Sequence, residues 1–158
     1  MKCLLIDVDD TLIKHNNPYS MNYNNINEDQ QLTQLFNTIQ CPKYIYTNAT
    51  YSHANLILNK MNLENKAKKI YSRDTIPSMK PDINSAEAVE RDIIKGNNQI
   101  NQIIFLDDLL ENLQTGKNKS WITVWISPKF REKNRYRFID FAFPDIKSAM
   151  IYLNQYNL

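Results

Sequence analysis

The chain has 158 residues, of which 42% are hydrophobic and 23% are charged, and its formal net charge is +2. This is the balance of an ordinary globular protein, long enough for one full hydrophobic core, so we expect a single domain over residues 1–158. No apolar run approaches the roughly 18 residues of a membrane span. We therefore expect a soluble, cytoplasmic protein without a membrane partner. Cys3 and Cys41 form no CxxC pair, which argues against a zinc site and favours free thiols.

Apolar runs alternate with helical patterns along the chain. The predicted strands are residues 3–6, 44–46, 69–71, 103–106 and 121–126, with one more at 137–141. The predicted helices are residues 28–40, 53–61, 82–95, 109–115 and 145–156, the third ended by Gly96 and the fourth by Gly116. The Asn-rich stretch from Asn16 to Asn27 predicts a polar loop without a core-facing stripe. Strands alternating with helices predict βαβ units and a mainly parallel sheet.

Polar side chains follow three of the predicted strands, at the point where each strand ends. They are Asp7 and Asp9 after the first strand, Thr47 and Asn48 after the second, and Asp107 and Asp108 after the fourth. Because ligands of open parallel sheets bind outside the carboxyl ends of the strands, these side chains are expected to share one site.

The four carboxylates predict a metal-dependent reaction. Like charges repel at short range, and a divalent cation removes most of that cost. Oxygen ligands of this kind suit Mg²⁺, which also binds substrate phosphates. Two carboxylates spaced as in Asp7-x-Asp9 allow one to attack while the other acts as acid and base. Thr47 is a candidate phosphate ligand, and Lys80 is a candidate counter-charge.

Four segments match motifs of a known family. Asp7-Val8-Asp9-Asp10-Thr11-Leu12 resembles the first motif of haloacid dehalogenase superfamily phosphatases, Asp-x-Asp-x-Thr-Leu. The other three resembling segments, in the family's order, are Thr47-Asn48, Lys80-Pro81 and Phe105-Leu106-Asp107-Asp108. The resemblance covers residues 1–126. It implies a three-layer, Rossmann-like α/β fold with a mainly parallel sheet in the order 5-4-1-2-3, and phosphatase activity.

The resemblance also implies a role for each matched residue. Asp7 is expected to attack phosphorus and form an aspartyl-phosphate. Asp9 is expected to protonate the leaving oxygen and then to activate the hydrolytic water. The residues implied to hold Mg²⁺ are Asp7, Asp9 through its carbonyl, Asp107 and Asp108. The residues implied to bind the substrate's phosphoryl group are Thr47, Asn48 and Lys80.

A closer resemblance is to the pyrimidine 5′-nucleotidase branch of that family. This resemblance rests on five segments or residues, which are Thr47-Asn48-Ala49, His53-Ala54, Asp107-Asp108, Asn112 and Thr115-Gly116. That branch carries a helical cap between its first two motifs, whereas here the helix at 28–40 is interpreted as a core crossover. Only the loop at 14–27 is left, so we expect a minimal or absent cap. An open site suits a bulky phosphorylated substrate, such as a nucleic-acid end or a phosphoprotein, or else needs a second subunit as a lid. The branch resemblance keeps a small nucleotide as a further candidate.

Some of these residues also have purely structural interpretations. The structural alternative for Asp108 is that its side chain caps the helix that starts at Leu109. His53 is expected to begin a helix rather than to act as a base. In the segment 129–138, basic residues interleave with aromatic ones, as on nucleic-acid-binding surfaces. The alternative there is a solvated connection with its aromatic side chains turned inward.

For the whole chain, the alternative to an enzyme is a non-catalytic protein that uses the same fold for binding or regulation. Such a protein would be expected to lose its reactive side chains first. Asp7, Asp9 and Lys80 are all present, which favours the enzyme.

Overall fold

The computed structural model describes residues 1–15 and 22–156. The strands are β1 (Lys2–Ile6), β2 (Lys43–Tyr46), β3 (Ile70–Tyr71), β4 (Gln102–Asp107), β5 (Ile122–Ile126) and β6 (Phe141–Phe143). The α-helices are α1 (Gln30–Thr38), α2 (Tyr51–Lys60), α3 (Ile83–Gly96), α4 (Leu110–Asn118) and α5 (Ile146–Gln155). Short 3₁₀ helices cover Tyr23–Asn25 and Phe130–Arg135. The described helices do not combine the length and apolar character that crossing a bilayer requires.

The strands form one parallel sheet in the order β3-β2-β1-β4-β5-β6. This confirms the predicted α/β class and contains the predicted order 5-4-1-2-3, with a sixth strand added at the β5 edge. β1 lies between β2 and β4, so the strand order reverses at β1, and a ligand crevice is expected at such a point. In the β1–β4 register, Leu5 is opposite Phe105 and Ile6 is opposite Leu106.

Both faces of the sheet are buried, which gives the three predicted layers. Leu4 and Ile6 of β1 face a cluster that contains buried residues of α1, α2 and α5. Cys3 and Leu5 face the opposite cluster, which contains buried residues of α3 and α4. Parallel strands covered on both faces read as continuous apolar runs, which is why β1 and β4 were visible in the sequence. Each such buried Leu or Ile contributes roughly 1.5–3 kcal/mol to folding.

Four helices begin directly after a residue whose side chain caps them. The cap residues are Asp29, Thr50, Asp82 and Asp145, whose side chains accept backbone N–H bonds from Leu32, His53, Asn84 and Ser148 respectively. These bonds satisfy donors that a helix start leaves unpaired.

The prediction that Gly116 ends the fourth helix was wrong, because α4 continues through it to Asn118. The reason for a glycine here is close packing. A Cβ at this position would lie 2.9 Å from Cδ1 of Phe105 and 3.1 Å from Cε3 of Trp121.

The last strand also differs from the prediction of residues 137–141, because β6 covers Phe141–Phe143. The preceding residues are held by side chains. The ring of Tyr136 packs against Trp125 with centroids 5.5 Å apart, and the Asp140 carboxylate accepts bonds from Thr123 N–H and Lys117. Regular pairing with β5 therefore starts only after Asp140.

The predicted polar loop is described from residue 22 onward, and residues 16–21 lie outside the described part of the chain. Within it, Tyr23 and Ile26 are partly buried against the core. These two apolar side chains, among many asparagines, anchor the described part of the loop to the core.

Candidate active site

Two neighbouring strands bring the first pair of site carboxylates together. Asp7 directly follows β1 and donates its N–H to the Leu106 carbonyl at 3.0 Å, while Asp107 ends β4. Both side chains are buried. Asp108 is half-buried beside them, and carboxylate oxygens of Asp7, Asp107 and Asp108 lie within 4.8 Å of one another. The structure thus assembles three of the four carboxylates into one cluster.

Lys80 supplies the positive charge inside this cluster. Its Nζ lies 2.8 Å from Asp7 Oδ1, 2.6 Å from Asp107 Oδ2 and 2.8 Å from the Tyr46 carbonyl. Its position is fixed by Asn48, whose Oδ1 accepts the Lys80 N–H at 2.8 Å and whose Nδ2 donates to the Lys80 carbonyl at 2.9 Å. Asn48 therefore uses both ends of its amide to hold Lys80.

The cluster carries more negative than positive charge. Burial raises the pKa of Asp7 to about 7, with the charge of Asp107 adding to the effect and Lys80 opposing it. Burial and the charge of Asp107 raise the pKa of Asp108 to about 6. For Lys80, burial acts to lower the pKa, but Asp107 and Asp7 outweigh it and keep it above its ordinary value. Three ionised carboxylates and one ammonium leave two negative charges, which one divalent cation would balance.

The donor set fits Mg²⁺, which prefers carboxylate and water oxygens. Asn112 orients one ligand, because its Nδ2 donates to both oxygens of Asp107 at 3.0 and 3.1 Å. The Leu109 N–H also donates to Asp107 Oδ1, at 2.9 Å. Asn112 Oδ1 is buried and has no hydrogen-bond partner among the described residues. A buried acceptor of this kind favours a cation or an ordered water nearby.

The capping interpretation of Asp108 is not what the structure shows. Leu109 occupies the cap position of α4 without a side-chain cap among the described residues, and the acceptor for its N–H is Asp107. Asp108 instead accepts a long bond from Thr11 Oγ1 at 3.4 Å. Its own carbonyl accepts the Trp125 indole N–H at 2.9 Å.

Thr47 lies at the carboxyl end of β2, on the opposite side of β1 from Asp107. Its N–H donates to the Tyr71 carbonyl at 2.9 Å, and its Oγ1 accepts the Ala49 N–H at 3.1 Å. The hydroxyl proton remains free of these two bonds. Its predicted donation to a substrate phosphate stays a prediction.

The Asp9 side chain has different partners from the other carboxylates. His15 Nε2 lies 2.8 Å from Asp9 Oδ1, and His53 Nε2 lies 2.9 Å from the same oxygen. His53 Nδ1 is 2.7 Å from the Tyr23 hydroxyl. His53 does sit in the first turn of α2, as predicted, but its ring also reaches the site. Sequence reasoning missed both contacts, although these are the only two histidines in the chain.

No protein-family model matches the sequence, and no curated protein matches it. Solved structures do resemble it. The L-2-haloacid dehalogenase from Xanthobacter autotrophicus with chloropropionic acid covalently bound has a TM-score of 0.61 and 14% identity, covering 83% of this chain and 62% of its own. The HAD hydrolase YfnB from Bacillus subtilis, solved with magnesium, has a TM-score of 0.63 and 18% identity, covering 80% and 55%.

A third similar structure is a predicted phosphoglycolate phosphatase from Haemophilus somnus, with a TM-score of 0.59 and 14% identity over 77% of this chain and 55% of that one. The chain therefore spans less than two thirds of the length of these three structures. Identities this low show a shared fold. The chain has the fold of the haloacid dehalogenase-like hydrolases.

Proposed function

We propose that the protein is a Mg²⁺-dependent phosphomonoester hydrolase that uses Asp7 as a covalent nucleophile. The observation that carries this proposal is the cluster of buried Asp7 and Asp107 and half-buried Asp108 around Lys80, which has two excess negative charges when all three carboxylates are ionised. Bound to the three carboxylates, Mg²⁺ would offset their charge and that of the phosphoryl oxygens.

The reaction is a double displacement at phosphorus. A carboxylate oxygen of Asp7 attacks, the bond from phosphorus to the leaving oxygen breaks, and Asp9 donates its proton to that oxygen. A water then gives a proton to Asp9 and attacks the aspartyl-phosphate, which releases phosphate and restores Asp7. The nucleophile must be ionised, and the Lys80 ammonium at 2.8 Å favours that form. Lys80 and Thr47 would hold the transferring phosphoryl group.

Dehalogenation of a 2-haloacid is the rival reaction, since one similar structure is such an enzyme. Its substrate is itself a carboxylate, and it would approach a cluster that already has excess negative charge. Displacement of a halide involves no phosphoryl group, so it does not require the cation that Asp107, at the end of β4, and Asp108 after it would help to hold. The charge of Asp107 and Asp108 therefore favours phosphoryl transfer.

The segment 129–138 bears on the substrate. It contains five basic residues and one acidic one, and Lys129, Arg131, Arg135 and Arg137 are exposed. The segment leaves the carboxyl end of β5, and its Tyr136 packs on Trp125, whose indole donates to the Asp108 carbonyl. These contacts support the proposal that the segment 129–138 lies beside the reaction site.

We propose that this basic segment, residues 129–138, attracts a phosphorylated nucleic-acid end through its charge. Tyr136 and Phe138 pack partly buried against the core, as the structural alternative for the segment predicted, so base stacking on these two rings is not part of the proposal. Electrostatic attraction to a phosphate backbone requires only the exposed cations.

The first experiment measures p-nitrophenyl phosphate turnover with Mg²⁺. Asp7→Asn is expected to abolish turnover. Asp10→Asn is the matched control and is expected to retain it, because Asp10 is exposed and asparagine keeps the acceptor for the His15 N–H. Absence of turnover on every phosphoester by the unaltered protein would support the non-catalytic alternative, and turnover by Asp7→Asn would contradict the assigned nucleophile.

The second experiment tests the substrate class. The double variant Arg131→Glu/Arg137→Glu should lower kcat/KM for a 5′- or 3′-phosphorylated oligonucleotide, with a weaker dependence on salt, and leave p-nitrophenyl phosphate unaffected. Phosphopeptides and free nucleotides are assayed in parallel. Preferred hydrolysis of either, unchanged by the charge reversal, would contradict the nucleic-acid end.

A further inference from the structure

The Asp9 carboxylate is contacted by side chains that have no role in the mechanism proposed above. We infer that His15, His53 and Tyr23 form a clamp that positions Asp9 for proton transfer. This inference rests on the proposed role of Asp9 as the acid and base.

Hydrogen-bond chemistry gives the clamp a direction. An ionised carboxylate only accepts, so both histidines must present Nε2–H to Asp9. A neutral His53 with its proton on Nε2 has an acceptor at Nδ1, which is the atom 2.7 Å from the Tyr23 hydroxyl. Tyr23 therefore donates to His53, and His53 donates to Asp9. Tyr23 thereby fixes both the tautomer and the orientation of the ring.

The histidines reach Asp9 from two separate parts of the chain. His15 follows the turn at Asp10, where φ is 59°, and its own N–H donates to Asp10 Oδ1 at 3.0 Å. His53 projects from the first turn of α2. Asp9 is thus held from its own loop and from the next βα unit at once.

Tyr23 connects the segment before α1 to the clamp. It lies in the 3₁₀ helix Tyr23–Asn25, packs partly buried against the core, and meets the His53 ring edge-on with centroids 5.7 Å apart. Tyr23, in the described part of the asparagine-rich loop, therefore contacts Asp9 through His53.

The clamp favours catalysis in a specific way. When Asp9 gives its proton to the leaving oxygen, negative charge develops on its carboxylate. Two N–H donors already face one of its oxygens, at 2.8 and 2.9 Å, so the charge is stabilised without rearrangement. The same bonds hold the carboxylate in place for the second proton transfer.

A purely structural role is the competing explanation. The histidine side chains are 18% and 19% exposed and that of Asp9 is 33% exposed. Contacts this open to solvent add little to stability. Their removal should therefore leave the fold intact while it disturbs the reaction.

The test compares two substrates by kcat/KM, which reports on the steps up to formation of the aspartyl-phosphate. An alkyl phosphate needs its leaving oxygen protonated, whereas p-nitrophenolate leaves without a proton. His53→Ala and His15→Ala should each lower kcat/KM for the alkyl phosphate by about 100-fold, the scale of a misplaced catalytic group. For p-nitrophenyl phosphate the loss should be less than about 10-fold, because general acid catalysis is then dispensable.

Three further variants make the test specific. His53→Gln, which can keep a donor toward Asp9, should recover part of the alkyl phosphate activity. Tyr23→Phe removes only the hydroxyl and should show the same selective loss, smaller in size. Tyr51→Phe, an exposed tyrosine on α2, is the matched control and should have no effect. Thermal unfolding checks that each variant is folded.

In an Asp9→Asn background, His53→Ala should have no further effect, because the group that it positions is gone. Equal losses on both substrates, no loss on either, or a persistent His53 effect without Asp9 would each overturn the clamp. If Asp7→Asn is inactive while the histidine variants behave as the unaltered protein, the clamp fails and the proposed phosphatase stands. If Asp7→Asn remains active, the proposed function itself fails.

Discussion

Asn112 and Asp107 are joined by two hydrogen bonds, from Nδ2 of the amide to each carboxylate oxygen, at 3.0 and 3.1 Å. Asn112 lies in the first turn of α4, and Asp107 ends the strand before it. The strand–helix connection therefore orients the carboxylate of Asp107, which we propose as a Mg²⁺ ligand. Partners of this kind are as important to a metal site as the ligands they hold.

We expect Asn112→Ala to lower Mg²⁺ affinity by about 10- to 100-fold, the usual effect of removing such a partner. The reason is that Asp107 loses two of the bonds that fix its carboxylate. Titration calorimetry measures the affinity directly. Gln114→Ala, on the exposed side of the same helix, is the control and should bind Mg²⁺ normally. Unchanged affinity in Asn112→Ala would remove Asn112 from the site.

The stability of the metal-free protein should fall as the pH rises from 5 to about 7. The pKa of Asp7 is raised from 3.8 to about 7 in the folded state, and that of Asp108 is raised to about 6. A raised carboxyl pKa means that the folded state prefers the protonated form. The contribution of that carboxyl group to stability is therefore complete below its pKa in the unfolded chain, and it is lost as the pH rises through its pKa in the folded protein.

Thermal unfolding at several pH values, with EDTA and with saturating Mg²⁺, measures this effect. Half-buried carboxylates with lowered pKa, such as Asp29 and Asp92, ionise below this pH range. Mg²⁺ should make the unfolding temperature less dependent on pH, because it stabilises the ionised carboxylates. In the metal-free protein, Asp7→Asn should also weaken this pH dependence. A metal-free protein that becomes more stable from pH 5 to 7 would contradict the charge imbalance.

Lys80→Met should destabilise the metal-free protein more than Asp7→Asn does. Removing Lys80 leaves Asp7 and Asp107 buried without a cation, and breaking a buried ion pair in this way costs about 3–5 kcal/mol. Asp7→Asn removes one carboxylate of the excess and keeps the Lys80–Asp107 pair at 2.6 Å. Denaturant unfolding gives both free energies. Equal losses would show that Lys80 is not the counter-ion that the cluster needs.

The two glycines should respond to alanine in opposite directions. Gly116→Ala places a Cβ 2.9 Å from the Phe105 ring and should cost about 1–3 kcal/mol of unfolding free energy, as overpacked cores do. Gly96→Ala, at the end of α3, meets no described atom within 4 Å and should stabilise by up to about 1 kcal/mol through helix propensity. Both are measured by denaturant unfolding. A stabilising Gly116→Ala would contradict the packing explanation.

The sequence made the central strands and their carboxylates predictable because two strong local signals coincide there. β1 and β4 are apolar runs of buried parallel strands; Asp7 directly follows β1, and Asp107 ends β4. Parallel topology then brings Asp7 and Asp107 together without further information. Lys80 was placed by motif resemblance, and no local pattern indicates that Asn48 holds its backbone.

Features that depend on contacts between distant residues were not predictable. A glycine in a helical pattern looks the same in the sequence whether it ends the helix or lets two rings pack closely. The role of Gly116 could therefore not be predicted without knowing that Phe105 and Trp121 pack against it. The contacts of His15 and His53 with Asp9 join a loop to a helix, and the hydrophobic periodicity of the sequence does not indicate them. The start of β6 depended on Asp140, whose bonds to Thr123 are made across the sheet edge.

β1 and β4 are neighbours in the sheet although their paired residues, such as Leu5 and Phe105, are 100 positions apart. A growing chain therefore carries Asp7, the proposed nucleophile, from the first strand onward, but it lacks the carboxylates of Asp107 and Asp108 until β4 and the residue after it have been synthesised. Until then β1 lacks one partner strand and exposes unpaired backbone groups on that side. Because a cation that binds only the finished site favours the folded chain by mass action, we expect Mg²⁺ in the medium to raise the fraction of native protein that is recovered at equilibrium in intermediate denaturant.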